Sequence, residues 1–418
     1  MNEVRIQLRA RRGRKEVPGT GPGHLVGRKY IKLLEAYLHD LRRHYAHPNR
    51  VLYYDDVVVV YLLAFFNPSL RSLRCIEDAS QAPGLRGHLS VKAVCKSTLS
   101  DANELFDPAH LEGLIAHLRA DLPDLGRHDP ELEALLNQVQ IVDGSFFRLA
   151  TDVAWAFPQS NRSGKSNAQV RLNCQMCLKT GLPSGISISG LGDGGEGQAA
   201  MAMLAPGQLY LFDSGVMSFA YLKAIQACHS HFLCCLSQSV NFAPFLMGPS
   251  TLTEQDQAAG VISDVIGQLP GASKSHPPRE VVREVKIQYT DRQGQPQTLR
   301  LLTDLLDMPA HRVAELYRYR WQIELFFRWL KVSANFEHLT SQSRNGVTLS
   351  FHIAVIACLL TSLHTRQGVS KYSQMMLGLV AAGQAELEDI LPIMQHRERE
   401  RQRERTRQAA KRAAKKAG

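Results

Sequence analysis

Four residues in the last third of the sequence carry chemistry at a fixed spacing: Tyr317, Arg320, Glu324 and Lys331, separated by 3, 4 and 7 positions. On a helix turning ~100° per residue, all four fall within an arc of roughly 60°. The adjacent arc carries Leu316, Ile323, Phe327 and Leu330. One flank therefore packs into a core, and its neighbour presents a carboxylate among two cations and a phenol. Arg320 and Glu324 stand at i,i+4, so a plain ion pair accounts for them, and Trp321 and Trp329 read as packing. The sharper reading needs further carboxylates. Asp143 and Asp213 each follow a short apolar stretch, VQIV and LYLF. Asp143, Asp213 and Glu324 brought together can hold two divalent cations ~3.5–4 Å apart, one activating a water or sugar hydroxyl, the other stabilising the leaving oxygen. Hard oxygen donors suit Mg²⁺ or Mn²⁺.

The elements that must position these groups follow from patterning. Residues 309–332 read as one helix, with Asp307 as N-cap and Pro309 in the first turn. Val139 and Ile141 alternate with polar residues and lead into Asp143-Gly144, a strand that ends at the aspartate. Residues 168–178 alternate cleanly, with Val170, Leu172, Cys174 and Met176 facing one way and Arg171, Asn173 and Gln175 the other, the pattern of a half-buried strand. Residues 184–189 form a third strand, 196–204 a helix, 208–212 a fourth strand ending at Asp213, 216–227 a helix and 231–236 a fifth strand. A hairpin over 281–289 and 297–302 turns at Asp291-Arg292-Gln293-Gly294. Functional groups collect at strand ends in open sheets. The order β-β-β-α-β-α-β, then a helix, with Asp on strands one and four and Glu on the later helix, is that of the ribonuclease-H-like fold. The fold expected is α/β: a ribonuclease-H-like mixed sheet flanked by helices, with an inserted β-rich segment and a helical N-terminal domain.

Before residue 138 the chain reads as helical. Residues 30–45 have apolar residues at helix spacing. Residues 55–66 suit a buried helix, although their valines leave a strand open. Residues 108–118, capped by Asp107, and 129–136 are two further helices. After the signature, Asn345-Gly346 marks a turn, 349–363 a long apolar helix and 386–416 a charged one. The expected domains are a basic disordered tail (1–28), a helical N-terminal DNA-binding domain (29–136), the first part of the catalytic domain (137–237), a β-rich insertion (238–307), the catalytic helix and end of that domain (308–365), and a helical basic C-terminal region (366–418).

Other residues with reactive chemistry have bland explanations. Cys174 and Cys177 form C-x2-C, with Cys228, His229, His231, Cys234 and Cys235 downstream. An offset of three on a strand puts the first two on opposite faces, so core thiols are favoured over zinc. The glycine-rich GDGGEG at 192–197 lacks the lysine of a phosphate-binding loop and reads as a flexible loop. Asp193 and Glu196 within it are candidates to flank the active site but are not chosen as ligands, and Asp152 reads as a solvated residue.

The chain has 418 residues, 44% hydrophobic and 21% charged, which excludes a wholly disordered protein. Its net charge of +10 is uneven. Residues 1–30 hold eight basic and two acidic residues, and 397–418 hold ten and three, so the tails are +6 and +7 and the body is −3. Such tails favour polyanions, nucleic acid above all, against the bland reading of solvated arms. No run is expected to approach the ~20 apolar residues of a membrane span; the longest candidate, 57–66, is interrupted by Tyr61. No apolar signal core follows the N-terminal arginines. The eight scattered cysteines fit reduced thiols. A cytoplasmic, nucleoid-associated bacterial protein is the expectation.

The stretch YRYRWQIELFFRWLK, from Tyr317 to Lys331, resembles the DDE transposases of bacterial insertion sequences in the class with the Y-x2-R-x3-E-x6-K signature. Its flanks, LLTDLLDMPAHRVAELY and HLTSQSRNGV, are similar too. IVDGSFFRLA at 141–150 resembles the family's first-aspartate block and LYLFDSGVMS at 209–218 its second, where Val216 departs from the usual aromatic. The resemblance spans roughly residues 60–365. It implies that Asp143, Asp213 and Glu324 are the catalytic, metal-binding triad for two Mg²⁺ ions (Mn²⁺ as substitute). It also implies that Tyr317, Arg320 and Lys331 contact DNA phosphates, chemistry that suits a guanidinium, an ammonium and a hydroxyl. The activity implied is cut-and-paste transposition: binding of the element's terminal inverted repeats, metal-dependent strand cleavage and transfer into target DNA, by a dimer or larger assembly on DNA. The alternative is a catalytically silent DNA-binding protein on the same scaffold.

Overall fold

The computed structural model describes residues 34–45, 50–66, 70, 72–82, 94–122, 133–149, 153–160, 166–245, 251–270, 281–291, 293–333, 336, 339–381 and 384–417. The basic tail 1–28 and Asp152 lie outside the described residues. The chain forms two compact units, one of Met1–Leu125 with Trp329–Gly418, the other Gly126–Arg328.

The first unit is helical. It begins with α1 (Glu35–His44), α2 (Tyr54–Phe66), α3 (Leu73–Ser80), α4 (Lys96–Leu105) and α5 (Glu112–Ala120). The valine run of α2 is a helix because it is enclosed on all sides. Val57, Val58, Val59, Val60 and Leu62 are all buried, and a helix satisfies its own backbone wherever it is buried. Asp107 caps the turn leading into α5, its Oδ1 accepting from the Ala109 backbone N–H at 2.9 Å.

The second unit is built on a ten-stranded mixed sheet. It contains β1 (Val139–Arg148), β2 (Phe157–Ser160), β3 (Ser166–Cys177), β4 (Leu182–Ser189), α6 (Glu196–Met201), β5 (Leu209–Phe212), α7 (Phe219–Ala227), β6 (His231–Cys235), β7 (Ala243–Pro244), α8 (Glu254–Ala258), β8 (Val261–Gln268), β9 (Val282–Thr290), β10 (Pro296–Thr303), α9 (Ala310–Arg318) and α10 (Trp321–Arg328). The order is β2-β3-β1-β5-β6-β10-β9-β8-β7, with β4 also paired to β3. The pairs β1–β5 and β5–β6 are parallel and the rest antiparallel.

Several elements differ from the sequence expectation. Strand β1 does not end at Asp143. Its partner β5 runs out at the rung Val142–Phe212, but β3 continues to pair with it from Gly144 to Arg148. Strand β3 is buried on both faces, not one. Arg171, Asn173 and Gln175 are at most 7% exposed. They are tied into a polar network in which Arg171 Nε donates to Asn173 Oδ1 at 2.9 Å and Asn173 Nδ2 to Ser189 Oγ at 2.7 Å. The hairpin β9–β10 joins β6 through β10, so these strands and the unforeseen β8 extend the same sheet.

The expected single helix over 309–332 is broken. Tyr319 and Arg320 form a turn between α9 and α10, their N–H groups donating to Leu316 and Tyr317 carbonyls in i→i−3 fashion. Residues Trp329–Ser333 form a π-helical turn that belongs to the first unit. The 100° rule therefore does not carry from Tyr317 to Lys331. Nor is Asp307 the cap. Pro309 occupies that position, and Asp256 of α8 accepts from the His311 backbone N–H at 2.8 Å.

The chain returns to the first unit with α11 (Arg344–Thr365), α12 (Lys371–Ala381) and α13 (Leu387–Ala417). Asn345-Gly346 is not a turn but the first turn of α11, capped by Ser343. Asn345 Nδ2 is occupied by the carbonyls of Asn103 and Phe106. Contrary to the expectation that no run approaches a membrane span, α11 is long and apolar enough to cross one, and 83% of its most apolar stretch is buried inside the protein. It packs on α2, α4 and α5.

Candidate active site

Parallel pairing of β1 and β5 sets Val139 beside Leu209 and ends with Val142 beside Phe212. The next residue on each strand is an aspartate, so Asp143 and Asp213 emerge together. Their carboxylates are fixed by local backbone. Asp143 Oδ1 accepts from Gly144 N–H at 2.8 Å, and Asp213 Oδ1 accepts from Gly215 and Val216 N–H at 2.8 and 3.2 Å. Glu196 opens α6, directly after the glycine-rich loop. One ligand oxygen from each of Asp143, Glu196 and Asp213 lies within 4.8 Å of the others, the one such group of three potential metal ligands among the described residues.

Close approach at this point requires glycine. A Cβ on Gly144 would lie 2.9 Å from Glu196 Oε1, and one on Gly215 would lie 3.2 Å from Asp213 Oδ1 and 3.5 Å from Glu196 Oε2. The loop before Glu196 turns through Gly192 and Gly194, with φ of +89° and +82°, a region that favours glycine. Asp193, the other acid in that loop, closes it, its Oδ2 accepting from Gly190 N–H at 2.7 Å.

Two arginines reach the carboxylates. Arg171 is held from β3, its Nη2 donating to Gly194 O at 3.0 Å, and its Nε stands 3.9 Å from Glu196 Oε1. Arg320 bridges Asp143 Oδ2, at 3.8 Å, and Glu324 Oε1, which it contacts directly. Burial and the neighbouring Asp213 charge push the Asp143 pKa up to about 7, against the Gly144 N–H and Arg320. Burial likewise raises Glu196, offset by Arg171. Crowded, half-desolvated carboxylates resist ionising together, and a divalent cation relieves that cost. The donor set is all oxygen, which fits Mg²⁺ or Mn²⁺.

Of the residues singled out from sequence, Asp143 and Asp213 come together, and Glu324 joins them through Arg320. Tyr317 is 9% exposed. Its pKa is raised by burial, and the Arg320 guanidinium lies 5.9 Å from its ring centre. Lys331 lies in the π turn of the first unit. The cysteines are all free thiols, with Cys174, Cys234 and Cys358 buried. The sequence offers Glu196 only as a candidate to flank the active site. The signal that could have found it is a carboxylate behind a glycine run, between the two strands that carry aspartates.

Residues 135–360, just over half the chain, match the Transposase DDE domain family, and the chain belongs to that family. It is 28% identical over 160 residues to "Putative transposase y4zB" of Sinorhizobium fredii (strain NBRC 101917 / NGR234), a match covering 38% of this chain and 43% of that protein. It is 32% identical over 82 residues to "Probable transposase for insertion sequence element IS5377" of Geobacillus stearothermophilus, covering 20% and 21% of the two chains. The chain thus spans less than half the length of these curated relatives. Among solved structures it is similar to the piggyBac transposase in a synaptic complex with hairpin DNA, at a TM-score of 0.37 and 9% identity, covering 85% of this chain and 77% of that one.

Proposed function

We propose that this protein is an insertion-sequence transposase that binds the ends of its element and, with Mg²⁺ or Mn²⁺, cleaves DNA strands there and joins them to target DNA. The observation that carries the reading is the emergence of Asp143 and Asp213 from adjacent parallel strands, beside further carboxylates, inside the matched family domain. The order β4-β3-β1-β5-β6, antiparallel and then parallel, supports a ribonuclease-H-like core. Asp143, Asp213 and Glu324 are assigned as the catalytic ligands of two cations. Bound there, the ions would activate a water or 3′-hydroxyl and neutralise charge on the leaving oxygen.

The protein's own groups position the DNA. Arg320 can give a phosphate a bidentate grip, and Lys331 a point charge. Tyr317 is assigned to this strand-gripping set as well. In the free protein its ring lies beside the Arg320 guanidinium, 5.9 Å from the ring centre. The arginine-rich end of α13 and the N-terminal arginines add sequence-independent phosphate affinity. Two element ends must be handled together, so the working form is at least a dimer on DNA, acting at the bacterial nucleoid.

The test uses purified protein and duplexes carrying the inverted repeats that flank its coding region. Nicking or double-strand cleavage at the repeat boundary in Mg²⁺, absent in EDTA, is expected. Specific binding with no cleavage in Mg²⁺ or Mn²⁺ would instead establish a silent DNA-binding protein.

A further inference from the structure

The geometry points to a division of labour among four carboxylates: Asp143, Glu196 and Asp213 seat the first divalent cation in the DNA-free protein, and Glu324 joins only when Arg320 lets it go. This rests on the metal-dependent reading above and adds Glu196 as a ligand.

Three features argue for it. The Asp143, Glu196 and Asp213 oxygens already lie within 4.8 Å of one another, whereas Glu324 is outside that group. Glu324 has a counter-charge, since Arg320 contacts its Oε1 and stands between it and Asp143. A cation entering at Glu324 must displace that guanidinium, and one entering at Glu196 displaces nothing so close, because Arg171 Nε is 3.9 Å away. Lastly, the Glu196 head lies against Gly144, where a Cβ would stand 2.9 Å from its Oε1 and 3.1 Å from Arg171 Cδ, so a side chain there would crowd this carboxylate.

A consequence is an order of events. A phosphate of the bound strand competes with Glu324 for Arg320. When Arg320 turns to it, Glu324 is freed for the second cation. Substrate binding and completion of the metal site are then one step.

Mn²⁺ titration of the full-length protein without DNA, by calorimetry and by electron paramagnetic resonance of free Mn²⁺, tests this. Wild type should bind a single ion. Glu196→Gln should weaken that binding by at least ~10-fold, the lower end of what even outer-shell partners of a metal contribute, and Glu196→Asp should restore part of it. Glu324→Gln should stay near wild type, and Arg320→Ala should reveal a second ion. Cooperative melting in EDTA at or above the wild-type temperature would show that the variants fold. If Glu324→Gln weakens binding as much as Glu196→Gln, or Glu196→Gln binds as wild type does, the division is overturned while the metal reading stands. If Asp143→Asn leaves Mn²⁺ binding unchanged, the metal reading itself fails.

Discussion

Along β8–β10, Asp264 and Glu284 are each met by an arginine at 2.6 Å. Arg283 adds a second contact to Asp264 at 2.7 Å and donates to the Leu305, Leu306 and Met308 carbonyls. At the ends of β1 and β5, on the same sheet, three carboxylates crowd together and the arginines that reach them stand at 3.8 and 3.9 Å. The first group is buried and the second is half-buried. The first closes its charge within the chain and so staples the sheet to the segment that leads into α9. The second leaves negative charge uncompensated, which makes it a seat for a cation. Burial of acids, full or partial, is common to both; the proximity of the partner separates structure from site.

The two regions should differ most at the aspartates. Asp143→Asn or Asp213→Asn should reduce cleavage of element ends to the EDTA background in gel assays while DNA binding persists. Retained cleavage would remove the distinction. Next in size is the staple. Arg283→Ala strands a buried carboxylate, a change that typically costs ~3–5 kcal/mol, and denaturant unfolding should show it. A loss no larger than that of a surface substitution would mean that the two regions are alike.

Third, Mn²⁺ at about a hundred times its dissociation constant should stabilise wild type by ~2.7 kcal/mol, and Asp143→Asn by much less. Smallest is the pH effect. With its pKa raised to about 7, folded Asp143 keeps a proton that the unfolded chain releases near 3.8. That stabilisation is full below the unfolded value and is lost as pH rises through the folded one. In EDTA, the melting-temperature advantage of Asp143→Asn over wild type should therefore widen from about pH 5 to about pH 8. A constant gap would contradict the crowding inferred for this end of the sheet.

Strands β1, β3, β4, β5, β6, β9 and β10 and both aspartates are legible because their signals are local: LYLF before Asp213 is buried throughout, and any enclosed strand needs such a run. Glu196 was not legible, because nothing near it in sequence says that α6 folds back over β1 and β3. The residue types of the helix signature are plain in the sequence, but their phase on the helix is not. The tightening at Tyr319–Arg320 and the π turn at Trp329–Ser333 depend on packing that spacing does not encode. The cap of α9 was missed for a similar reason. Asp256, more than fifty positions upstream, does what Asp307 was expected to do.

The shared last rung of β1 and β5, Val142 beside Phe212, also sets the rules for insertions and deletions. The crossover between β4 and β5 can gain or lose residues beyond α6 without moving either aspartate, because the rung is defined from the strands and not from the distance along the chain. Removing one residue from inside β5 would turn Asp213 to the opposite face of the sheet. Homologous sequences should therefore vary freely in the number of residues between their two aspartates. They should stay invariant in the short apolar count that precedes each one, and that count, not the overall spacing, is the ruler by which to align them.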